Sequence, residues 1–208
     1  MWTIIVGGGG GERFGGLKQY EVLSADGRVR VLDAAVAAAR TVGEVVIVVP
    51  AADAAREGGV AGGATRSESV RAGLAAVPDD ATVICVHDAA RPMASVDLFT
   101  AVIAAVGADD VAGAVPAVPV ADTIKVVDST GRVVATPDRG SLVAVQTPQA
   151  FRADVLRSAH AAGPEGTDDA AVVEAIGGVV VTVPGEGRNA KITTPGDLDR
   201  ARTWWVER

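Results

Sequence analysis

The first twenty residues contain the side chains with the clearest chemical pattern. The apolar run Trp2–Val6 ends in five glycines, Gly7–Gly11, and Arg13 and Lys18 follow. Glycines after a strand let backbone N–H groups close around a phosphate, because no side chain holds the ligand away. The two cations would supply fixed positive charge. We therefore predict a phosphate-binding loop, which two cations in an acidic chain favour over the alternative of a flexible N-terminal turn.

The loop does not match the two commonest phosphate motifs. A P-loop has Gly-Lys-Ser or Gly-Lys-Thr, whereas Lys18 is preceded by Leu17 and followed by Gln19. The dinucleotide fingerprint G-x-G-x-x-G has no frame in the glycine run, which disfavours an NAD enzyme. What remains is G-x-G-x-R over Gly9–Arg13. This motif resembles the signature loop of nucleotidyltransferases that join a sugar or polyol phosphate to a nucleoside triphosphate.

Composition narrows the class of protein. The chain has 208 residues, 49% of them hydrophobic, which suffices for the core of one α/β domain. A formal net charge of -7 and a sequence pI near 4.8 disfavour nucleic acid and anionic membranes as partners. The one cysteine, Cys85, lies in an apolar run, where we expect an inert thiol in a reducing compartment. No apolar stretch approaches the roughly 20 residues of a membrane span. We predict a cytoplasmic protein.

Strands and helices alternate along the chain. The predicted strands are Trp2–Val6, Glu44–Val49, Thr82–Val86, Val111–Val118 and Val179–Val183. The predicted helices are Val31–Arg40, a helix capped by Thr65 or Ser67 and ending near Val77, Ser95–Val106, Ala153–Ala162, Asp169–Ile176 and Pro195–Trp205. This alternation predicts one α/β domain over residues 1–208, with a single doubly wound, mostly parallel sheet of Rossmann-like type. Ligands then bind at the carboxyl ends of the strands.

The segment at about 120–145 departs from this rhythm. Two extended runs, Thr123–Val127 and Arg132–Ala135, flank a turn that contains Gly131, a pattern typical of a β-hairpin. A two-stranded hairpin is marginally stable alone, so this arm must pack on another surface. That surface is either its own domain or a second subunit, and the pattern does not decide between them.

The strand-end rule selects the candidate site residues. It collects the glycine loop Gly7–Arg13, the turn Gly63–Ser69, Asp88 and the loop that leads to Lys191. Asp88 directly follows a buried strand and suits Mg²⁺, which takes one or two carboxylates together with phosphate oxygens. An ion pair with Arg91 is the other use for this carboxylate, and both remain open.

The two histidines give less support for catalysis. His87 is expected to have a structural or hydrogen-bonded role, and His160 is predicted to lie on a surface helix. No cysteine–histidine cluster has zinc-site spacing, and the serines lack a plausible histidine partner. Metallohydrolase and acyl-transfer activities therefore have little support.

Taken together, the motifs resemble one enzyme family. Six segments carry the resemblance, in order along essentially the whole chain: Gly9-x-Gly11-x-Arg13 with Lys18-Gln19-Tyr20, His87-Asp88-Ala89-Ala90-Arg91-Pro92, Asp122-Thr123-Ile124-Lys125, Gln146-Thr147-Pro148-Gln149, Thr167-Asp168-Asp169-Ala170 and Lys191-Ile192-Thr193. They closely resemble the 2-C-methyl-D-erythritol 4-phosphate cytidylyltransferases of the non-mevalonate isoprenoid pathway. The resemblance implies transfer of CMP from CTP to 2-C-methyl-D-erythritol 4-phosphate, with pyrophosphate released, CTP as co-substrate and Mg²⁺ as the metal.

The resemblance also implies a role for each matching residue. Arg13, Lys18 and Lys191 would surround the α-phosphate, and Asp88 would hold Mg²⁺. The implied nucleotide-binding positions are Gly7, Gly8, Gly9, Gly11, Gly63, Ala64, Ser69 and Asp88. The implied positions for the polyol phosphate are Asp88 with Thr123 and Arg139, the last two acting from the arm in the partner subunit's site. A homodimer formed through the arm is then a condition of activity.

The chain departs from the family at the start of the glycine loop. Val6-Gly7-Gly8 stands where Pro-Ala-Ala is usual, so the empty loop has more conformational freedom to lose on binding CTP. This change suggests a catalytically silent nucleotide-binding subunit as one alternative. Ribitol 5-phosphate cytidylyltransferase is the nearest alternative enzyme, because it shares the glycine loop, the cytosine turn and much of the sheet.

Overall fold

A large sheet organises the computed structural model, which describes residues 1–11, 13–108, 110–162 and 166–207. The strands in chain order are β1 (Trp2–Val6), β2 (Glu44–Val49), β3 (Val60–Ala61), β4 (Val83–Asp88), β5 (Gly113–Pro119), β6 (Val126–Val127), β7 (Val133–Ala135), β8 (Val143–Val145), β9 (Gln149–Arg152) and β10 (Val180–Pro184). The sheet has the order β10-β5-β9-β4-β1-β2-β3, and β8 pairs with β5 outside this path.

The helices follow the predicted positions closely. They are α1 (Val31–Arg40), α2 (Ala54–Glu57), α3 (Arg66–Ala76), α4 (Val96–Ala105), α5 (Ala153–Ala161), α6 (Asp169–Glu174) and α7 (Pro195–Val206). Thr65 caps α3 with Glu68 reaching back to its backbone, and Thr194 caps α7 in the same way with Asp197. The capping signals in the sequence therefore located these helix starts correctly.

Both faces of the sheet are covered, as the neighbouring residues Ile4 and Ile5 show. Each is fully buried, and their side chains point to opposite faces because strand side chains alternate. Ile4 packs in a cluster with residues of α3, α5 and α6, such as Leu74. Ile5 packs with residues of α1 and α4, such as Phe99. A sheet with helices on both faces confirms the predicted doubly wound α/β class.

The sequence did not indicate strand β9. It lies between β4 and β5 and is antiparallel to both, whereas the pairs β1–β2, β1–β4, β2–β3 and β5–β10 are parallel. Strand β4 is longer than predicted, because it extends beyond Val86 to Asp88. Because Val6 and Asp88 are register partners, the glycine loop begins beside this carboxylate.

The placement of His160 on a surface helix is wrong. Its side chain is 2% exposed and its Nε2 lies 3.0 Å from a carboxylate oxygen of the buried Asp169. His160 follows Leu156 by four residues on α5, which puts both on the inward face of the helix.

The predicted hairpin is confirmed. Strands β6 and β7 pair antiparallel in a two-stranded sheet of their own, and Gly131 in the turn has a φ of 83°. The valines of this arm are exposed, among them Val127 (54%) and Val133 (59%).

None of the helices in the described part of the chain combines the length and apolar character needed to cross a membrane.

Candidate active site

A cavity of about 530 Å³ opens at the carboxyl ends of β1 and β4. This volume is typical of a small-molecule site. The lining residues are Val6, Gly7, Gly8, Gly9, Gly10, Gly11, Arg13, Phe14, Lys18, Gln19, Gly63, Ala64, Thr65, Arg66, Ser69, Asp88, Ala89, Ala90 and Lys191. The fold thus brings together every predicted site residue except Thr123 and Arg139.

The start of the glycine loop is fixed by hydrogen bonds. The Gly7 N–H donates to the Val48 carbonyl (2.7 Å), and the buried amide of Gln19 donates to the Gly7 carbonyl (2.9 Å). Both backbone groups of Gly7 therefore have protein partners, and its carbonyl keeps one lone pair for a ligand.

The end of the loop is a turn that requires glycine. Gly11 has a φ of 69°, and its carbonyl accepts from the Phe14 and Gly15 N–H groups (2.9 Å each). A Cβ at Gly11 would lie 1.8 Å from the Gly16 carbonyl oxygen. This position tolerates no side chain. Glu12 of the same motif lies outside the described residues.

Lys18 is held close to two other cations. It opens a short 3-10 helix that ends at Tyr20, whose hydroxyl donates to Asp53 (2.9 Å). Burial lowers the pKa of Lys18, and the positive charges of Lys191 and Arg13 lower it further. A group of cations so close together suits a multiply charged anion.

Asp88 lies among three cations. Its Oδ2 is 2.7 Å from Lys191 Nζ and 3.9 Å from Arg91 Nε, and its Oδ1 is 3.6 Å from Arg66 Nε. Burial alone would raise the pKa of Asp88, but the cations, Lys191 foremost, hold it well below its usual value. The carboxylate is therefore ionised at neutral pH.

The loop that carries Lys191 is docked on the segment after β4. The Ile192 N–H donates to the Ala90 carbonyl (2.8 Å), and the Arg91 guanidinium donates to the Asn189 carbonyl (2.7 Å). The Asn189 amide in turn donates to the Thr147 carbonyl (2.8 Å) and is fully buried. These bonds set the position of the Lys191 ammonium relative to Asp88.

His87 has the structural role expected from the sequence. The Asp88 N–H donates to the Thr147 hydroxyl (3.0 Å), and that hydroxyl lies 3.0 Å from His87 Nδ1. The other ring nitrogen lies 3.2 Å from the Arg91 carbonyl, so a neutral ring with hydrogen on Nε2 satisfies both contacts. Burial lowers the pKa of His87 to about 4. His87 therefore supports the backbone of Asp88.

The turn before α3 is ordered by its own side chains. The Ser69 hydroxyl donates to the Thr65 carbonyl (3.0 Å) and accepts from the Gly63 N–H (3.2 Å). The Ala64 N–H donates to the Glu68 carboxylate (2.6 Å). One lone pair on Ser69 Oγ remains for a ligand donor.

Sequence analysis missed Arg66, which lines the cavity. Its Nη2 lies 2.7 Å from the buried carboxylate of Asp169, and its Nε faces Asp88. Two signals could have found it. The Thr65 cap places Arg66 at the first position of α3, and that helix begins at the strand ends where the site is expected.

The two predicted site residues of the arm lie outside the cavity. Thr123 and Arg139 are exposed, and the Arg139 guanidinium donates to the Ala121 carbonyl (2.7 Å). Neither lines the cavity of its own chain.

Comparison with known proteins shows the family of the chain. A family model described as 2-C-methyl-D-erythritol 4-phosphate cytidylyltransferase (IspD) matches residues 1–207. The chain belongs to this family. It is therefore a nucleotidyltransferase, and the family activity is the predicted one, cytidylyl transfer to 2-C-methyl-D-erythritol 4-phosphate in the non-mevalonate pathway. The resemblance stated from the motifs is confirmed.

Individual members of the cytidylyltransferase family resemble the chain over most of its length. The 2-C-methyl-D-erythritol 4-phosphate cytidylyltransferase of Frankia casuarinae is 45% identical, and the match covers 94% of this chain and 77% of that relative. The crystal structure of the Thermus thermophilus 2-C-methyl-D-erythritol 4-phosphate cytidylyltransferase gives a TM-score of 0.82 at 33% identity, with 97% of each chain covered. A bifunctional enzyme IspD/IspF of Anaeromyxobacter dehalogenans is 43% identical over 96% of this chain, which spans 55% of that relative's length.

Proposed function

We propose that the cavity at the ends of β1 and β4 binds CTP and 2-C-methyl-D-erythritol 4-phosphate and joins them. A phosphate oxygen of the polyol phosphate attacks the α-phosphorus of CTP, and the bond from that phosphorus to the bridging oxygen of pyrophosphate breaks. The products are 4-diphosphocytidyl-2-C-methyl-D-erythritol and pyrophosphate. The placement of Lys18, Lys191 and Arg13 in one cavity carries this assignment, because an anion bound there offsets their mutual repulsion.

The three cations stabilise the transition state. The reacting groups are all anions, and negative charge builds on the oxygens of the α-phosphate as the nucleophile approaches. Arg13, Lys18 and Lys191 line the same cavity and offset that charge. The attacking phosphate is already ionised near neutral pH, so the step needs no general base. The hydrogen-bonded and neutral His87 is consistent with this requirement.

The glycine loop and the turn before α3 hold the cytidine. Gly7, Gly8, Gly9 and Gly11 offer a wall without side chains, and Gly63 and Ala64 offer a second wall across the cavity. Ser69 accepts a hydrogen bond through its remaining lone pair, which suits the amino group of cytosine. A Cβ at Gly8 would lie 3.1 Å from Ser69 Oγ, so the two walls are close at this point.

Asp88 has the donor chemistry for Mg²⁺. Among the described residues no cluster of three or more acidic, histidine or cysteine side chains could hold a metal. Magnesium on nucleotides does not need such a cluster, because it takes one or two carboxylates and fills its other positions with phosphate oxygens and water. The ionised Asp88 at the cavity fits this pattern. The ion would supply further neutralisation of the triphosphate charge.

Thr123 and Arg139 act in the site of a second copy of the chain. The arm that carries them forms its own two-stranded sheet and exposes Val126 (44%) and Val134 (60%). A second copy would cover these apolar side chains and stabilise a hairpin that is marginal by itself. The homodimer through residues of about 120–145 thus completes the polyol-phosphate site of an otherwise single domain over residues 1–208.

CTP is a cytoplasmic metabolite, and we place the reaction in that compartment. Relatives named as bifunctional enzymes carry the homologous region within a longer chain.

Pyrophosphate release tests the assignment directly. The assay offers CTP and Mg²⁺ with either 2-C-methyl-D-erythritol 4-phosphate or ribitol 5-phosphate. We expect release with the first substrate alone. Release only with ribitol 5-phosphate would reassign the acceptor. Binding of CTP without release from either would indicate a silent nucleotide-binding subunit.

A further inference from the structure

The proposed reaction leaves one cation of the cavity without a role. Arg66 is the first residue of α3, and its side chain is 24% exposed. The guanidinium spans two carboxylates, with Nε 3.6 Å from Asp88 and Nη2 2.7 Å from Asp169. Asp88 lines the cavity and Asp169 does not. Arg66 therefore connects the reaction site with a charge in the protein interior.

Asp169 is a buried carboxylate with two cationic or hydrogen-bonding neighbours. Asp169 is fully buried. Its Oδ2 faces Arg66, and its Oδ1 lies 3.0 Å from His160 Nε2. Gln149 secures the same corner, because its amide donates to Asp168 (2.7 Å) and accepts from the Ala170 N–H (3.3 Å). Asp169 is thus held rigidly at the start of α6, and it offers Arg66 a fixed anchor.

The arrangement needs the planar fork of arginine. Burial alone would lower the pKa of Arg66, but Asp169 and then Asp88 outweigh it and keep the pKa above its usual value. A guanidinium can contact carboxylates on two sides and still direct an N–H at a third group, whereas an ammonium is a single point charge. Because Arg66 lines the cavity, the third group that its guanidinium can reach is a ligand bound there.

Charge balance indicates that the occupant is an anion. Among the described residues that line the cavity, four are cationic, Arg13, Lys18, Arg66 and Lys191, and one is a carboxylate, Asp88. Asp169 and Asp168 act on Arg66 from outside the cavity. The cavity lining therefore has an excess of positive charge. The start of α3 adds the positive end of an eleven-residue helix.

We propose that Arg66 is a further CTP-binding residue that donates to the triphosphate, and that Asp169 is the positioning residue that holds its guanidinium. Arg66 lies within the segment Gly63–Ser69 at the start of α3, and Gly63, Ala64 and Ser69 of this segment face the cytidine in the proposed function. The donors of Arg66 are therefore directed to the nucleotide. This inference rests on the proposed function for the identity of the anion.

Calorimetric titration of CTP tests the inference without relying on turnover. The variants are Arg66→Lys, Asp169→Asn and the two combined. We expect Arg66→Lys to weaken CTP binding by about 10- to 100-fold, with KM for 2-C-methyl-D-erythritol 4-phosphate unchanged. Asp169→Asn alone should weaken CTP binding by a smaller factor. In the Arg66→Lys background it should add nothing, because a positioning residue acts only through the residue that it positions.

Arg157→Lys is the matched control. Arg157 donates to the Leu74 (3.0 Å) and Val77 (2.9 Å) carbonyls at the other end of α3, away from the cavity. This variant should lower Tm and leave CTP affinity unchanged. Wild-type CTP affinity in Arg66→Lys would overturn the proposal, as would a rise in KM for the polyol phosphate alone. An equal loss from Asp169→Asn in both backgrounds would overturn the positioning role.

The same data separate the two proposals. If the wild-type protein binds CTP but releases no pyrophosphate with the polyol phosphate, the proposed reaction fails. The CTP affinities of the variants still judge the role of Arg66 in that case. A wild-type protein that does not bind CTP would overturn both.

Discussion

The Lys191 ammonium lies 2.7 Å from Asp88 Oδ2, which joins the end of β4 to a loop from the opposite half of the chain. Asp88 is nearly buried, with a side-chain exposure of 9%, whereas that of Lys191 is 37%. The pair keeps an ionised carboxylate within an otherwise cationic cavity. Removing either charge should therefore alter anion binding and metal-dependent turnover in different ways.

Asp88→Asn separates these two effects. Without a divalent metal, CTP affinity should stay the same or rise, because a negative charge has left an anion site. With Mg²⁺, kcat should fall by about 100-fold or more, because the metal loses its protein ligand. Titration of CTP in EDTA and steady-state assays with Mg²⁺ measure the two quantities. Unchanged turnover with Mg²⁺ would rule out Asp88 as a metal ligand.

Lys18→Ala and Arg13→Ala should each lower kcat/KM by about 100- to 1000-fold, because each removes a charge that offsets the transition-state oxygens. The free energy of unfolding should change by less than about 1 kcal/mol. In Lys18→Ala, the loss of repulsion from Lys191 and Arg13 offsets the lost contacts. Arg28→Ala is the control, since that side chain is 85% exposed. If either variant turns over as fast as the control, the residue substituted in that variant is not part of the active site.

Mixing two inactive variants tests whether the arm acts between subunits. Lys18→Ala damages its own cavity, and Arg139→Ala damages the arm. If Arg139 serves the partner's cavity, each mixed dimer has one intact site, and a statistical mixture should regain about a quarter of wild-type activity. If Arg139 serves its own cavity, every site in the mixture contains one of the two substitutions, and no activity returns. Absence of recovery, with subunit exchange verified by mass spectrometry, would contradict the proposed dimer site.

Gly11→Ala should weaken CTP binding more than it lowers stability. The substitution forces a side chain into a left-handed conformation, and its Cβ would meet the Gly16 carbonyl, so the turn must rearrange at a cost of about 1–3 kcal/mol. Gly16→Ala is the matched control, because a Cβ there has no atom within 4 Å. Calorimetry with CTP and thermal unfolding measure both effects. Equal CTP affinity in the two variants would show that the turn is not needed for binding.

His87 should make stability depend on pH. Its pKa in the folded protein is about 4, against 6.5 for the free side chain. Between these values the unfolded chain binds a proton that the folded protein does not. The free energy of unfolding should therefore fall by about 1.4 kcal/mol for each pH unit as pH drops through this window, and the loss is complete below about pH 4.

Urea unfolding at several pH values measures this dependence, with His87→Gln as the comparison. The other titratable groups are the same in both proteins, so the difference between their pH profiles isolates His87. The variant should have the flatter profile between the two pKa values even if it is less stable throughout. Parallel profiles would show that the pKa of His87 is the same in the folded and the unfolded protein.

The sequence alone determined where most helices and strands begin and end, which family the chain belongs to and most of the residues that line the cavity. The apolar run into Gly7–Gly11, the caps Thr65 and Thr194, and the apolar strands fix where elements begin and end, because these signals act between residues a few positions apart. The ordered series of motifs identified the family and the residues of the cavity, since strand ends in a parallel sheet meet at one edge.

Tertiary structure decided the features that depend on distant partners. Strand β9 has four residues without alternation, and its extended form follows from hydrogen bonds to β4 and β5 on either side. His160 is buried because Asp169 supplies a partner across two helices, and Arg66 enters the site because the fold brings Asp88 and Asp169 to both sides of it. A buried charge is stable only beside a compensating one. The Thr65 cap gives the position of Arg66 at the start of α3, but its two carboxylate partners are set by packing of the whole chain.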